Sequence, residues 1–407
     1  MKAEHAASLR AGLENLSLSG LRVLLVIPDG TRTIPVGEFI KIIWPTLRGK
    51  VAVLDVVIAL GTHQPMSEEA ILRHLDLTPA DRSGGYREMG VANHVWDDPE
   101  KLAVIGTISA EEMRELTDGR LEEPLEITIT KRIFDYDRIL ILSPVFPHEL
   151  VGMSGGYKYF FPGISGPEII DLTHWLAALT GNLKTIGKLD TPFRRVVNAA
   201  SRFVTVPTEA ICTVIHHGEV DGVWVGDVFE SWEQAAKHAQ RTHIVRKPRT
   251  YHTVLACPPT MYEDMWTGGK SIYKVEPVIE PGGEITVYAP HITSLSVTHE
   301  HHLLICGYHC SEYFQAHLDE LSEVPRGVLG VASYIYGTGS YDGVTERPRM
   351  KVRLATGIPR ETVESVGFEY VDPATIDINA WRDREDEGVL LVERAGETLY
   401  RPAGETE

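Results

Sequence analysis

Three stretches of this chain are nearly unbroken in apolar residues, and each runs into a short polar loop. Residues 21–27 are apolar apart from Arg22 and lead into Pro28-Asp29-Gly30. Residues 51–60 repeat the pattern around Asp55 and end in Gly61-Thr62-His63, and residues 138–142 end in Ser143-Pro144. A strand buried on both faces needs such side chains throughout, whereas a half-exposed strand alternates. Between the runs lie helix signals, as in residues 67–75, where Ser67 stands at an N-cap position before Glu68 and Glu69. Strand, loop and helix in alternation predict an α/β fold with mainly parallel sheets. Ligands of such sheets bind at the carboxyl ends of strands, and all three polar loops fall there.

At 407 residues the chain exceeds what one hydrophobic core ordinarily supports, so two α/β domains are expected, with an active-site cleft between them. Residues 246–251 are basic and polar around Pro248 and serve as the linker. The division expected is an N-terminal cofactor-binding domain over 1–248 and a C-terminal domain over 249–387, with the tail 388–407 packing back on the first. In the second half, residues 253–256 and 284–288 read as strands and Pro281-Gly282-Gly283 as a tight turn. Residues 388–393 and 398–401 read as a hairpin-like pair around Ala395-Gly396.

Acidic residues outnumber basic ones 57 to 39, a formal charge of -18, which repels phosphate backbones and argues against nucleic acid as a partner. A small anionic substrate remains compatible if basic residues gather in a cleft. Four cysteines are too few for a disulfide framework and read as reduced thiols. The residues after Met1 form no apolar signal core, and no apolar run approaches the ~18 residues that span a bilayer. A cytoplasmic protein with no membrane partner is expected.

Several loops carry residues suited to chemistry. Asp29-Gly30-Thr31-Arg32 offers an acid for a ribose hydroxyl and an arginine for a carboxylate or phosphate, and reads equally as an Asp-Gly turn. His63, in a Gly-Thr turn at a strand end, is placed for proton transfer, with a satisfied loop histidine as the plainer reading; His94 reads as structural. Ser154-Gly155-Gly156-Tyr157-Lys158 is a less ordinary sequence, flanked by His148 and His174. Glycines let backbone N–H groups close around an anion, and a lysine is a point charge or a nucleophile. Trp266-Thr267-Gly268-Gly269-Lys270 places a lysine for a substrate carboxylate, or on the surface after a Gly-Gly turn. His299, His301, His302, Cys306, His309 and Cys310 suggest zinc, although residues 303–306 read as a buried strand that would point neighbours to opposite faces.

Taken in order, these motifs resemble the lactate racemase family that uses the nickel-pincer nucleotide. The resemblance rests on Asp29-Gly30-Thr31-Arg32, Gly61-Thr62-His63, Pro147-His148, Ser154-Gly155-Gly156-Tyr157-Lys158 with Pro162-Gly163, then His174 and Lys270, and it spans residues from about 20 to 290. It implies a racemase or epimerase of a small 2-hydroxyacid. The implied cofactor is pyridinium-3-thioamide-5-thiocarboxylic acid mononucleotide with nickel, joined covalently to Lys158 and loaded by cofactor-biosynthesis enzymes acting transiently. It implies His174 as the nickel ligand, and His63 and His148 as the acid/base pair. Asp29, Thr31, Ser154, Gly155 and Gly156 then serve the cofactor, and Arg32, Lys270, Trp266 and Thr267 the substrate.

The chain departs from the family at three places. Tyr157 stands where the lactate enzymes commonly carry Arg, Gln64 follows His63 where they have Arg, and Trp266-Thr267 stands where they have Tyr-Gln. A pocket altered around retained chemistry implies a 2-hydroxyacid other than lactate. The competing expectations are a non-catalytic carrier of the nickel cofactor or a nucleotide, and a zinc hydrolase built on residues 299–310.

Overall fold

The computed structural model describes residues 1–61 and 63–404. Thr62, part of the Gly61-Thr62-His63 motif, and residues 405–407 of the tail lie outside the described residues. The chain divides into two compact units, each assembled from separate stretches. The first comprises Met1–Phe146, Met153–Ile170 and Phe193–Thr242; the second comprises Pro147–Gly152, Asp171–Pro192 and the chain from His243 on.

The last division between the units falls at Thr242/His243, close to the expected boundary at 248, while shorter stretches earlier in the chain cross between them. The short stretches carrying His148 and His174 group with the second unit, and Lys158 with the first. Local composition marks linkers but not which unit an intervening stretch packs on.

The first unit is built on a six-stranded sheet ordered Glu219–Asp227, Thr208–His216, Arg138–Pro144, Arg22–Pro28, Val53–Ala59 and Val91–Asn93. All neighbours are parallel except the first two, which form an antiparallel edge. Every residue of Arg22–Pro28 after Arg22 is buried, as a strand covered on both faces requires. From Arg22–Pro28 the chain builds to one side through Val53–Ala59 and Val91–Asn93, then crosses to lay Arg138–Pro144 on the other. That makes a topological switch point between Arg22–Pro28 and Arg138–Pro144, where doubly wound sheets hold ligands. The predicted helix appears as Glu68–His74, its N-cap Ser67 accepting from the Ala70 N–H.

The second unit is built on a five-stranded parallel sheet ordered Glu369–Tyr370, Lys351–Thr356, Ile279–Ala289, Tyr251–Cys257 and Val389–Glu393. Pro281-Gly282-Gly283 does not form a separate turn. It lies within Ile279–Ala289 as an irregularity, with the register shifting opposite Tyr251/Thr253 and the Gly282 N–H donating to the Arg349 carbonyl at 2.7 Å. The expected terminal hairpin is also absent. Val389–Glu393 joins this sheet beside Tyr251–Cys257, while Leu399–Pro402 runs parallel to Ile244–Lys247, so the tail packs within the second unit. Of residues 246–251, Pro248, Arg249 and Thr250 connect the strand Ile244–Lys247 to Tyr251–Cys257, and Tyr251 is fully buried with its hydroxyl donating to Glu385 at 2.7 Å. Among the described residues no helix is long and apolar enough to cross a membrane.

Candidate functional site

In the first unit, the loops that follow the central strands gather on one side of the switch point. Asp29, directly after Arg22–Pro28, is 5% exposed. Its Oδ1 accepts from the Thr31 N–H (3.2 Å) and hydroxyl (2.7 Å), an Asx-type turn, and its Oδ2 pairs with His63 Nδ1 at 2.5 Å. Burial alone would push the Asp29 carboxyl up. The hydrogen bond and charge of His63, the charge of Arg32 and the Thr31 hydroxyl outweigh it and hold the group well below the usual carboxylate range. Asp29 is thus a fixed anion that accepts a hydrogen bond from Nδ1–H of His63, which leaves Nε2 free of that proton and able to exchange one. The resemblance assigns Asp29 and Thr31 to the cofactor; in the fold Asp29 orients His63, and the Thr31 hydroxyl holds Asp29. Arg32 donates to the Thr31 hydroxyl at 3.2 Å and bonds the Tyr159 hydroxyl.

Lys158 follows the strand Arg138–Pro144 on a short 3-10 turn, Gly156–Tyr159, and is half-buried. Gly155 and Gly156 adopt φ of +85° and +60°, open to glycine at little cost. A Cβ on Gly155 would stand 2.6 Å from Val145 Cγ2, so glycine is needed there for space as well. The Ser154 hydroxyl donates to the Pro144 carbonyl and accepts from the Phe146 N–H, both at 2.9 Å, so its bonds staple the loop to the strand end. The Gly156 N–H donates to the Ser143 hydroxyl at 3.2 Å.

Two residues that sequence reading missed hold the loop from beneath. Trp232 donates from its indole to the Ser154 carbonyl at 2.7 Å. Arg194, 3% exposed, donates to the carbonyls of Met153 and Gly155 and lies 4.3 Å over the Trp232 ring. Burial pushes Arg194 down to about 9, so it stays cationic at neutral pH. Nothing in the local sequence around Arg194 or Trp232 announces this, because the contacts join residues 38 to 78 positions apart. Two further links tie the loops together. The Gly61 N–H donates to the Gly163 carbonyl at 3.0 Å, and His94 Nε2 bonds the Ser165 carbonyl at 2.9 Å. His94 is buried, and burial pushes it down to about 4, in keeping with its structural reading. Tyr157, one of the departures from the family, sets its ring edge against Phe160 and Phe229.

The second unit carries the other predicted residues. His148 is 5% exposed, and its Nδ1 accepts from the Leu150 N–H at 3.2 Å, which places the proton of the neutral ring on Nε2. Glu149 Oε2 lies 3.4 Å from the same nitrogen. The two histidines are thus set in opposite senses: Nε2 of His63 accepts a proton and Nε2 of His148 carries one. His174 is half-buried on the helix Pro167–Thr180. The helix Arg326–Tyr336 packs against it at close range, since a Cβ on Gly330 would stand 2.7 Å from the His174 carbonyl and one on Gly327 3.4 Å from its Cβ.

Lys270 opens a short helix, Lys270–Tyr273, with its ammonium 4.9 Å from the Tyr262 ring centroid. Gly268-Gly269 is helical and not the turn expected, with Gly269 at φ −53° and ψ −22°. Asp264 caps this segment, accepting from the Thr267 N–H at 2.9 Å and hydroxyl at 2.7 Å. The Asp-x-x-Thr spacing is a cap signal legible in the sequence. The Trp266 ring packs beside His299 at 4.7 Å between centroids.

The His/Cys group around 299–310 takes a different form from that expected. Residues 303–306 belong to a helix, Glu300–Cys306, burying Leu303 and Cys306 at three-residue spacing while Leu304 and Ile305 are exposed. A short apolar run does not distinguish helix from strand, and Gly307 at φ +65° ends the helix. His309 pairs with Glu346 at 2.8 Å, and burial pushes Cys306 and Cys310 up to about 12. Among the described residues no group of three or more His, Cys, Asp or Glu gathers to hold a metal ion.

Residues 7–186 match the sequence model of the lactate racemase N-terminal domain. No curated protein matches the chain by sequence. A structural-genomics crystal structure of a protein from Thermotoga maritima aligns with a TM-score of 0.88 at 28% identity, covering 98% of each chain. The lactate racemase apoprotein from Thermoanaerobacterium thermosaccharolyticum aligns with a TM-score of 0.74 at 15% identity, covering 98% of this chain and 93% of that one, and shares the fold. Over residues 7–186 the chain is similar to the lactate racemase N-terminal domain, and along almost its whole length it shares the fold of these two solved structures.

Proposed function

We propose that this protein is a cytoplasmic racemase or epimerase that inverts C2 of a small 2-hydroxyacid other than lactate, using a nickel-pincer nucleotide joined to Lys158. The donor chemistry fits that cofactor. A half-buried primary amine on a clamped glycine loop suits covalent attachment, and an imidazole at His174 suits a borderline metal such as nickel. When bound, the group supplies a hydride acceptor and donor for C2. The cationic Arg194 beneath the loop favours an anionic nucleotide above it.

The chain's own residues move the proton. We assign His63 to take the hydroxyl proton of one enantiomer and His148 to return a proton to the other. Two bases are required because the enantiomers present their hydroxyls to different sides. Arg32 and Lys270 are assigned to the substrate carboxylate and other polar groups, with Trp266 and Thr267 shaping its side-chain pocket. The single observation that carries this reading is the opposed setting of the two histidines by Asp29 and by the Leu150 N–H. A non-catalytic carrier needs no buried anion fixing a histidine tautomer.

The test is chiral chromatography of protein co-expressed with cofactor-making enzymes. It would be offered short aliphatic, aromatic, dicarboxylic and sugar-derived 2-hydroxyacids. Inversion of at least one acid is expected, lost in both His63→Ala and His148→Ala. Loaded protein that exchanges no C2 hydrogen across the panel would sink the proposal and favour the carrier.

A further inference from the structure

In the second unit a neighbouring helix holds the segment that carries His174, and the two backbones come closest at His174 itself. Across residues 171–178 of the helix Pro167–Thr180, only Asp171 and His174 keep part of their surface open, and the others are buried. Those two stand three positions apart and so share one helix face. The helix Arg326–Tyr336 meets this segment with Gly327, Gly330 and Tyr334, which also recur on one face. The contacts run in register. The Gly327 N–H donates to Asp171 Oδ1 at 2.6 Å, and the Tyr334 hydroxyl donates to the Ala177 carbonyl at 2.8 Å. Between them, a Cβ on Gly330 would stand 2.7 Å from the His174 carbonyl oxygen. The two segments therefore lie side by side in the same sense, bonded on either side of His174.

The bond at Asp171 answers a need of the neighbouring helix. Pro325 stands at the N-cap of Arg326–Tyr336 and has no side-chain acceptor to offer. Asp171 fills that role from across the seam, with Oδ1 accepting the Gly327 N–H and Oδ2 3.5 Å from Arg326 Nε. A carboxylate at a helix N-terminus also meets the positive end of the dipole. Asp171 and His174 are less than one turn apart, so fixing the first fixes the backbone of the second. The seam has little slack, because a Cβ on Gly330 would meet backbone and not a flexible side chain. Relieving that contact from 2.7 Å to an ordinary 3.4 Å moves one helix by about 0.7 Å. Functional side chains must be held within about 0.5 Å of their working positions.

We propose that Asp171 is a positioning residue for His174, clamping its helix to Arg326–Tyr336 so that the imidazole is held in one place for the metal. The proposal rests on the reading of His174 as the nickel ligand. Groups that orient a metal-binding imidazole without touching the metal contribute about 10–100-fold in affinity.

The test has two arms. In the full chain without cofactor, acylation of His174 by diethyl pyrocarbonate is followed by peptide mapping. Asp171→Ala and Gly330→Ala should each speed it by about fivefold, the opening expected when one bond of the clamp is lost. Asp171→Asn keeps an oxygen for the Gly327 N–H and should stay near the native rate. Val328→Ala, which removes buried bulk from another face of the same helix, should lower stability to urea and leave the rate unchanged. In protein co-expressed with cofactor-making enzymes, nickel loss to a chelator should quicken at least about tenfold in Asp171→Ala and Gly330→Ala. The mass on the Lys158 peptide should be retained in both. Should Gly330→Ala fail to fold, the Asp171→Ala and Asp171→Asn pair decides alone. The proposal is overturned if folded Asp171→Ala acylates at the native rate, if Val328→Ala speeds acylation as much, or if loaded Asp171→Ala keeps nickel as the native chain does. The expected acylation pattern in a chain whose loaded form binds no nickel would sink the ligand reading and leave the placement of His174 by Asp171 supported.

Discussion

The chain spells Gly-Gly before a lysine twice, at Gly155-Gly156-Tyr157-Lys158 and at Gly268-Gly269-Lys270, and folds the two in opposite ways. In the first, both glycines have positive φ, and the loop is fixed through its carbonyls by Arg194 and Trp232. In the second the backbone is helical, and the glycines are needed for proximity. A Cβ on Gly268 would stand 2.8 Å from Ile292 Cδ1, and one on Gly269 2.5 Å from Ile335 Cγ1. One motif is a left-handed glycine loop clamped through its carbonyls, and the other is a tight helical packing that happens to end in a lysine. Similar letters therefore say little until the backbone conformation is known.

The largest contrast should come from the lysines themselves. Lys158→Ala should eliminate inversion with the fold intact by circular dichroism. Lys270→Ala should leave cofactor attachment in place and raise KM by about 10–100-fold, the loss of one charge-assisted bond to substrate. Equal loss of attachment in both would erase the distinction drawn between them.

Alanine at the glycines sharpens the comparison next. Gly155→Ala meets both a positive φ, costing about 1–3 kcal/mol, and a clash with Val145, costing about 1–3 kcal/mol more. Gly269→Ala meets only the clash, about 1–3 kcal/mol. Urea unfolding should rank Gly155→Ala as the more destabilised, and the reverse order would contradict the backbone assignment.

His94 offers a pH test of how the Lys158 loop is anchored. Its folded value of about 4 lies below the ordinary 6.5, so on acidification the unfolded chain takes the proton first. Stability from this group is therefore fully present above pH 6.5 and lost as pH falls towards 4, on the order of 3 kcal/mol in all. In His94→Gln the dependence of unfolding free energy over that window should flatten. An unchanged slope would show that other groups set it. The smallest effect expected is at Thr267, where Thr267→Val removes the hydroxyl bond to Asp264 and should cost about 1 kcal/mol.

Much of the first unit was legible from local pattern. The strands at Arg22–Pro28, Val53–Ala59 and Arg138–Pro144 are continuous apolar runs because both faces are covered, and the loops that follow carry Asp29, His63 and Lys158. The second unit was harder to read. The Glu300–Cys306 helix is too short for its periodicity to separate from a strand, and the tail strands pair with distant partners that no neighbouring residue names. The role of Arg194 and Trp232 is illegible for the same reason: it depends on contacts across 38 residues and more.

The central claim is that Lys158 is an attachment point and not merely a cation beside a phosphate. Peptide mapping by mass spectrometry, on protein co-expressed with cofactor-making enzymes, addresses it directly. The account predicts a mass increase confined to the peptide containing Lys158, absent in Lys158→Ala and retained in Lys270→Ala. An unmodified Lys158 peptide in protein that nonetheless inverts a 2-hydroxyacid would contradict it.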